Sequence, residues 1–189
     1  MTLYSLVLFA HVTAVLALFA CLGLEAVSLS HLRRVSTLTE VQLWIDPVPG
    51  LSAIALGSLL VIFVSGVYTT IQMSGFGQAW VKVTIASFVL MAPLGGVTGR
   101  RMGYIRRLCA SGKMNSSKVL GLLQRPFLKI SLSIRIAVFL GIVLLMTAKP
   151  ELPESLGIIG GSVILGLAAA FLVPGRRSGL PAANSVVGS

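Results

Sequence analysis

Residues 51–73 read LSAIALGSLLVIFVSGVYTTIQM. The stretch holds no Asp, Glu, Lys or Arg, and Pro47 and Pro49 stand just before it. A helix needs about 20 apolar residues, at about 1.5 Å each, to cross a hydrocarbon layer roughly 30 Å thick. This run meets that length without an ionisable side chain to desolvate. Four more runs, at 3–29, 80–97, 127–147 and 156–173, have the same apolar character. The sequence therefore predicts an all-α, polytopic membrane helix bundle with five transmembrane helices. Residues 1–175 are expected to form this single domain. Residues 176–189, rich in Ser, Gly, Pro and Ala, are expected to form a flexible tail.

Composition agrees with that reading. Of 189 residues, 56% are hydrophobic and only 11% charged, where soluble domains carry about 25% charge. A net charge of +10 in a soluble protein would suggest nucleic acid. Here the basic residues sort by loop instead, so no nucleic-acid partner is expected. Twelve of the 15 Lys and Arg fall in the first loop, the third loop (with Lys129 at its edge) and the tail, while Lys149 alone serves the other side. Basic loops stay in the cytoplasm. The N-terminus is then outside and the C-terminus cytoplasmic, as five spans require. The expected location is the bacterial cytoplasmic (inner) membrane. The basic stretch 99–125 is expected to meet anionic lipid head groups, with part of it, 102–110, as an amphipathic helix lying on the surface.

Ionisable residues inside spans are costly and mark candidate sites. His11 lies in the first span, and its imidazole can ligate haem or a metal or relay protons. His31 is 20 residues further on, roughly 30 Å along a helix, so it cannot share a metal with His11. Arg135 sits near the middle of the fourth span and needs a counter-charge. Glu25 is the acidic residue that lies well inside a span, so a Glu25–Arg135 ion pair between the first and fourth helices is expected. Lys82 follows the interfacial Trp80. It either snorkels to the interface or faces His11 and holds an anionic group. Pro93, Gly95 and Gly96 predict a kink or break in the third helix. Gly95–Gly99 and Gly157–Gly161 have the small-xxx-small spacing of close helix contacts.

Three segments carry a family likeness. They are Phe9-Ala10-His11-Val12-Thr13-Ala14, Trp80-Val81-Lys82-Val83 running into Arg100-Arg101, and Leu144-Leu145-Met146-Thr147-Ala148-Lys149-Pro150. In these the chain resembles small bacterial integral-membrane proteins of unknown function that group with CopD-like copper-resistance proteins. It is more distantly similar to HemJ-type protoporphyrinogen oxidases. The second resemblance implies haem binding and catalysis through a first-helix His and a Lys after a Trp, which here are His11 and Lys82. The cofactors implied are haem b or copper, with His11 as the metal ligand. Met73 and Met146 are the thioethers expected near the same face.

Three functions remain open on these residues. One is a cofactor protein with haem or metal at His11. Another is a small transporter, whose polar path would use the third-helix break with Thr69, Thr70 and Gln72. The third is a structural or assembly subunit, as a homo-oligomer or within a larger membrane complex, packed through the fifth helix. Cys21 and Cys109 form no metal or redox motif. No nucleotide-binding loop, zinc-protease motif or Ser-His-Asp arrangement is present, which excludes soluble-type hydrolase and kinase chemistry.

Overall fold

A computed structural model describes residues 2–32, 50–110 and 126–172. The predicted tail, the Arg33–Arg34 pair and the basic residues Lys113, Lys118 and Arg125 lie outside the described residues. Within them the chain forms five helices and no strand. These are α1 (Leu3–Leu32), α2 (Leu51–Gln72), α3 (Ala79–Ala110), α4 (Pro126–Ala148) and α5 (Leu152–Leu172), with a short 3-10 turn at Gly75–Gly77. All five are long and apolar enough to cross a membrane.

The helices start where backbone chemistry allows. Gly50 precedes α2 in the left-handed region at φ 83°, where glycine avoids the Cβ clash that other residues meet. Pro126 opens α4, where its missing N–H costs nothing. Pro153 stands in the first turn of α5 and is tolerated for the same reason. Lys149 takes φ 51° in the tight connection from α4 to α5. Ser155, fully buried, ties that connection down by donating its hydroxyl to the Glu151 carbonyl at 2.8 Å.

Two expectations for the third helix are corrected. The helix runs unbroken from Ala79 to Ala110 through Pro93, Gly95 and Gly96. Proline inside a membrane helix removes one N–H, which neighbouring groups can offset, and the Pro93 ring is exposed. Residues 102–110 are likewise no separate surface helix. They continue α3, with Ile105 buried at 3% exposure and Tyr104 and Arg107 exposed. Thirty-two residues make α3 roughly 48 Å long, so its basic end projects past a hydrocarbon layer. There Arg101 stacks over the Phe127 ring at 4.2 Å, a cation–π contact that joins α3 to α4.

Packing is uneven. α1 lies along α2, and α4 lies along α5, as two helical hairpins. α3 sits against α4 and α5. α1 and α4 touch more sparsely, and α2 reaches α3 chiefly through the 3-10 turn. Buried hydroxyls supplement the apolar core. Thr98 on α3 and Ser131 on α4 are hydrogen-bonded at 2.8 Å, and Thr98 donates onward to the Leu94 carbonyl. The Ser131 proton therefore goes to Thr98.

The close helix approach falls at other glycines than the spacing suggested. Gly157, Gly161 and Gly99 face open space, with no neighbour within 4 Å of where a Cβ would stand, and at Gly95 a Cβ would meet only the Arg135 guanidinium at 4.0 Å. The tight contacts join α4 and α5: a Cβ at Gly141 would collide with the Ser162 side chain, and one at Gly166 would lie 2.8 Å from Ile134 Cα and 3.0 Å from the Ser133 carbonyl oxygen. Backbone cannot step aside as a side chain can. Gly166→Ala is expected to force α5 off α4 and destabilise the protein by about 1–3 kcal/mol, whereas Gly157→Ala is expected to be neutral. Thermal unfolding of the two variants in mild detergent checks this contrast.

Candidate functional site

His11 on α1 faces Ser65 on α2. Ser65 Oγ lies 2.8 Å from His11 Nδ1, and it also contacts the Val61 carbonyl and, at 3.3 Å, the Ile62 carbonyl. A hydroxyl has one proton to give, and carbonyls only accept. The Ser65 proton therefore goes to its own helix backbone. His11 Nδ1 must then be the donor to Ser65 Oγ. Donor counting thus assigns the tautomer: the proton sits on Nδ1 and the lone pair on Nε2. No side chain among the described residues is hydrogen-bonded to Nε2. Gly66, next to Ser65, lets the ring lie close, since a Cβ there would stand 3.5 Å from His11 Cε1.

Beside the imidazole is a cavity of about 90 Å³ between α1, α2, α3 and α4. His11, Thr70, Trp80, Thr84, Phe139 and Met146 are among its lining residues, and most of the remaining wall is aliphatic or aromatic. It exists because α2 and α3 are held apart by the 3-10 turn. Lower down, Phe63 stacks on Phe88 with centroids 6.1 Å apart, and Phe88 meets Phe139 edge-on at 6.2 Å. These rings floor the cavity. Its wall residues Phe63 and Val143 are themselves exposed, so it opens sideways through the bundle.

The Thr84 hydroxyl is the other polar group of note. Thr84 is 8% exposed, and its Oγ1 is buried with no hydrogen-bond partner among the described residues. Several other hydroxyls in these helices are paired, although Ser58 and Ser87, also buried, form no side-chain hydrogen bond among the described residues. Thr69, Thr70, Thr98, Ser155 and Ser162 each donate to a carbonyl of their own helix or its first turn. An unpaired buried hydroxyl costs about 1–3 kcal/mol, and Thr84 carries that cost within the bundle.

Lys82 is placed elsewhere. Trp80, Val81, Thr84, Ile85 and Phe88 line the cavity and share one face of α3 at helical spacing. Lys82 lies off that face, is exposed, and is not among the lining residues. The structure therefore does not bring Lys82 to His11. Trp80 is more than an interfacial anchor, for its ring lines the cavity while its Nε1–H donates to Gln78 Oε1 at 2.5 Å. Met146 lines the cavity but Met73 is exposed away from it. Among the described residues no three His, Cys, Asp or Glu side chains gather where a metal could sit.

The structure does bring Glu25 and Arg135 together. Arg135 Nη2 donates to Glu25 Oε1 at 2.5 Å, with the Arg side chain 11% and the Glu 28% exposed. Phe139, one turn along α4 from Arg135, belongs to the cavity floor. The ion pair therefore lies directly below the cavity. Arg135 Nε is buried without a partner among the described residues, so Glu25 carries most of the compensation. As for the transport path, the Thr69 and Thr70 hydroxyls are taken up by the Gly66 carbonyl and Gln72 donates to the Tyr68 hydroxyl.

Ser65 and Thr84 did not stand out in the sequence. A usable signal existed for Ser65, because it stands about as far from the end of α2 as His11 does from the start of α1. No family model, curated protein or solved structure matches this chain.

Breaking a buried ion pair from one side leaves an uncompensated charge, at a cost of about 3–5 kcal/mol. Glu25→Gln is expected to lower the unfolding temperature strongly. Adding Arg135→Gln is expected to restore much of the loss. A double-mutant cycle measured in detergent gives the coupling directly, and additive losses would show that the pair does not act as a unit.

Proposed function

We propose that this is an integral protein of the bacterial cytoplasmic membrane, N-terminus outside, that holds a ligand or cofactor in the cavity beside His11. The observation that carries this reading is the oriented imidazole. Ser65 fixes the ring, and among the described residues His11 is the one titratable side chain on the wall of an otherwise apolar cavity. Small-molecule sites have this character, an apolar enclosure with a few placed polar groups. Among the described residues no charged side chain lines that wall, as suits a ligand delivered from lipid.

Size and ligand count limit what it can be. A cavity of roughly 150 Å³ takes up benzene, and this one is about 90 Å³. A porphyrin does not fit it. His11 and the Met146 thioether are the donor side chains a soft metal would find on the wall, and copper would need its further ligands from solvent or a second copy. We therefore favour a small organic ligand over haem b or copper.

The test is to purify the protein in mild detergent and extract it. Solvent extraction with mass spectrometry, an absorption spectrum and metal analysis are run together, wild type beside His11→Ala. The expected outcome is a stoichiometric small molecule, reduced at least severalfold in His11→Ala, with no Soret band. An empty, colourless, metal-free protein in its folded state would contradict the reading.

A second reading, a subunit of a larger membrane complex, is favoured by one feature. Gly157 and Gly160 are exposed on α5 with nothing against them among the described residues, and they leave room for another helix to approach. Disulfide trapping of a Gly157→Cys variant in native membranes would give larger species if that face is an interface, and monomer alone if it faces lipid.

A further inference from the structure

We infer that the outward face of α3, at its basic end, is a binding site for one anionic phospholipid of the adjoining leaflet. The site lies at the opposite end of α3 from the His11 cavity and does not depend on it.

Length sets the depth of the basic residues. Arg100 stands 20 positions after Trp80, about 30 Å along a helix, which matches the thickness of the hydrocarbon layer. With Trp80 at one interface, Arg100 reaches the other. Residues 102–110 continue the same helix. Tyr104 and Arg107 therefore follow about 6 Å and about 10 Å beyond Arg100, across the head-group layer. Side chains on a helix lean towards its N-terminus. Tyr104 and Arg107 thus lean back towards the bilayer, to the level where Arg100 stands.

One face carries partners for both halves of a lipid. Leu90, Pro93, Val97, Arg100, Tyr104 and Arg107 are all exposed, and steps of three or four residues keep them on one side of the helix. The first three are apolar and lie at hydrocarbon depth. The last three are basic or aromatic and lie at head-group depth. Leu90 is 69% and Tyr104 58% exposed, so the stripe is uncovered in both halves. Arg100 and Arg107 form no ion pair among the described residues. Next to them, Arg101 lies over the Phe127 ring at 4.2 Å, which ties this end of α3 to α4.

The chemistry of the stripe selects the occupant. Arginine offers a planar fork of N–H donors that suits a phosphate, and tyrosine between the two arginines belongs at a membrane interface. A zwitterionic head group weakens the attraction with its own ammonium. An acidic protein or a nucleic acid would meet the arginines and leave the apolar half unused. An anionic phospholipid meets both, with its phosphate at Arg100 and Arg107 and an acyl chain along Val97, Pro93 and Leu90.

The test is native mass spectrometry of the full chain taken from vesicles of equal phosphatidylglycerol and phosphatidylcholine. Wild type is expected to retain one phosphatidylglycerol in preference to phosphatidylcholine. Arg100→Gln and Arg107→Gln should each lower that preference about fivefold, the effect of one arginine near an anionic surface. Neither should lower the unfolding temperature, since neither side chain has an ion pair to lose. Arg176→Gln with Arg177→Gln removes charge from the tail and should leave the preference as in wild type. Equal retention of both lipids by wild type overturns the assignment and leaves the arginines to water or an acidic macromolecule. An undiminished preference in the α3 variants also overturns it, as does an equal loss in the tail variant, which would make the attraction one of overall charge. Displacement of the lipid by water-soluble glycerophosphoglycerol at equal concentration would show that the apolar half takes no part, and would overturn the lipid assignment too.

Discussion

The Glu25–Arg135 ion pair is the constraint on which the arrangement of this bundle depends. A guanidinium in the middle of a membrane helix is costly unless compensated. Glu25 supplies the charge from α1, at 2.5 Å. The two residues belong to different hairpins, α1 with α2 and α4 with α5, which otherwise meet sparsely. The pair therefore does what dispersion contacts do elsewhere in the bundle: it sets how far apart α1 and α4 stand. The aromatic trio Phe63, Phe88 and Phe139, in contact with one another, lines the cavity.

From that geometry the site follows by local chemistry. α2 is held off α3 by the Gly75–Gly77 turn, so the upper half of the bundle cannot close. His11 faces the gap from α1, and Ser65 decides which ring nitrogen is free. Thr84 lines the same cavity from α3, and its hydroxyl is buried and unpaired among the described residues. Folding alone does not favour an unpaired buried hydroxyl, since Val would fill the same volume without the desolvation cost.

How much of this was legible in the sequence depended on energetic cost. The five spans were legible because twenty apolar residues in a row have few other uses. Glu25 and Arg135 were legible as partners because each would be intolerable alone, and so the chain offers few solutions. His11 stood out for the same reason. Ser65 and Thr84 did not, because a hydroxyl in a helix is ordinarily satisfied by its own backbone, and only the structure shows that Thr84 is not. Of the two readings open for Lys82, the structure disfavours the one that faces His11, for Lys82 is exposed and off the cavity wall. Two positions along a helix turn a side chain by about 200°, so Trp80 can line the cavity while Lys82 is exposed away from it. Gly157 and Gly161 misled by spacing, whereas Gly166, with Ser162 four residues before it, makes the actual approach to α4. Pro93 does not interrupt α3, so of the expected kink or break the break does not occur.

The most direct test is an experimental density map of the protein in lipid nanodiscs. Expected are α2 and α3 apart at the His11 level, the Glu25–Arg135 pair intact beneath, and non-protein density in the cavity beside His11. A map in which α2 closes onto α3 and the Thr84 hydroxyl bonds to its own helix would contradict this picture.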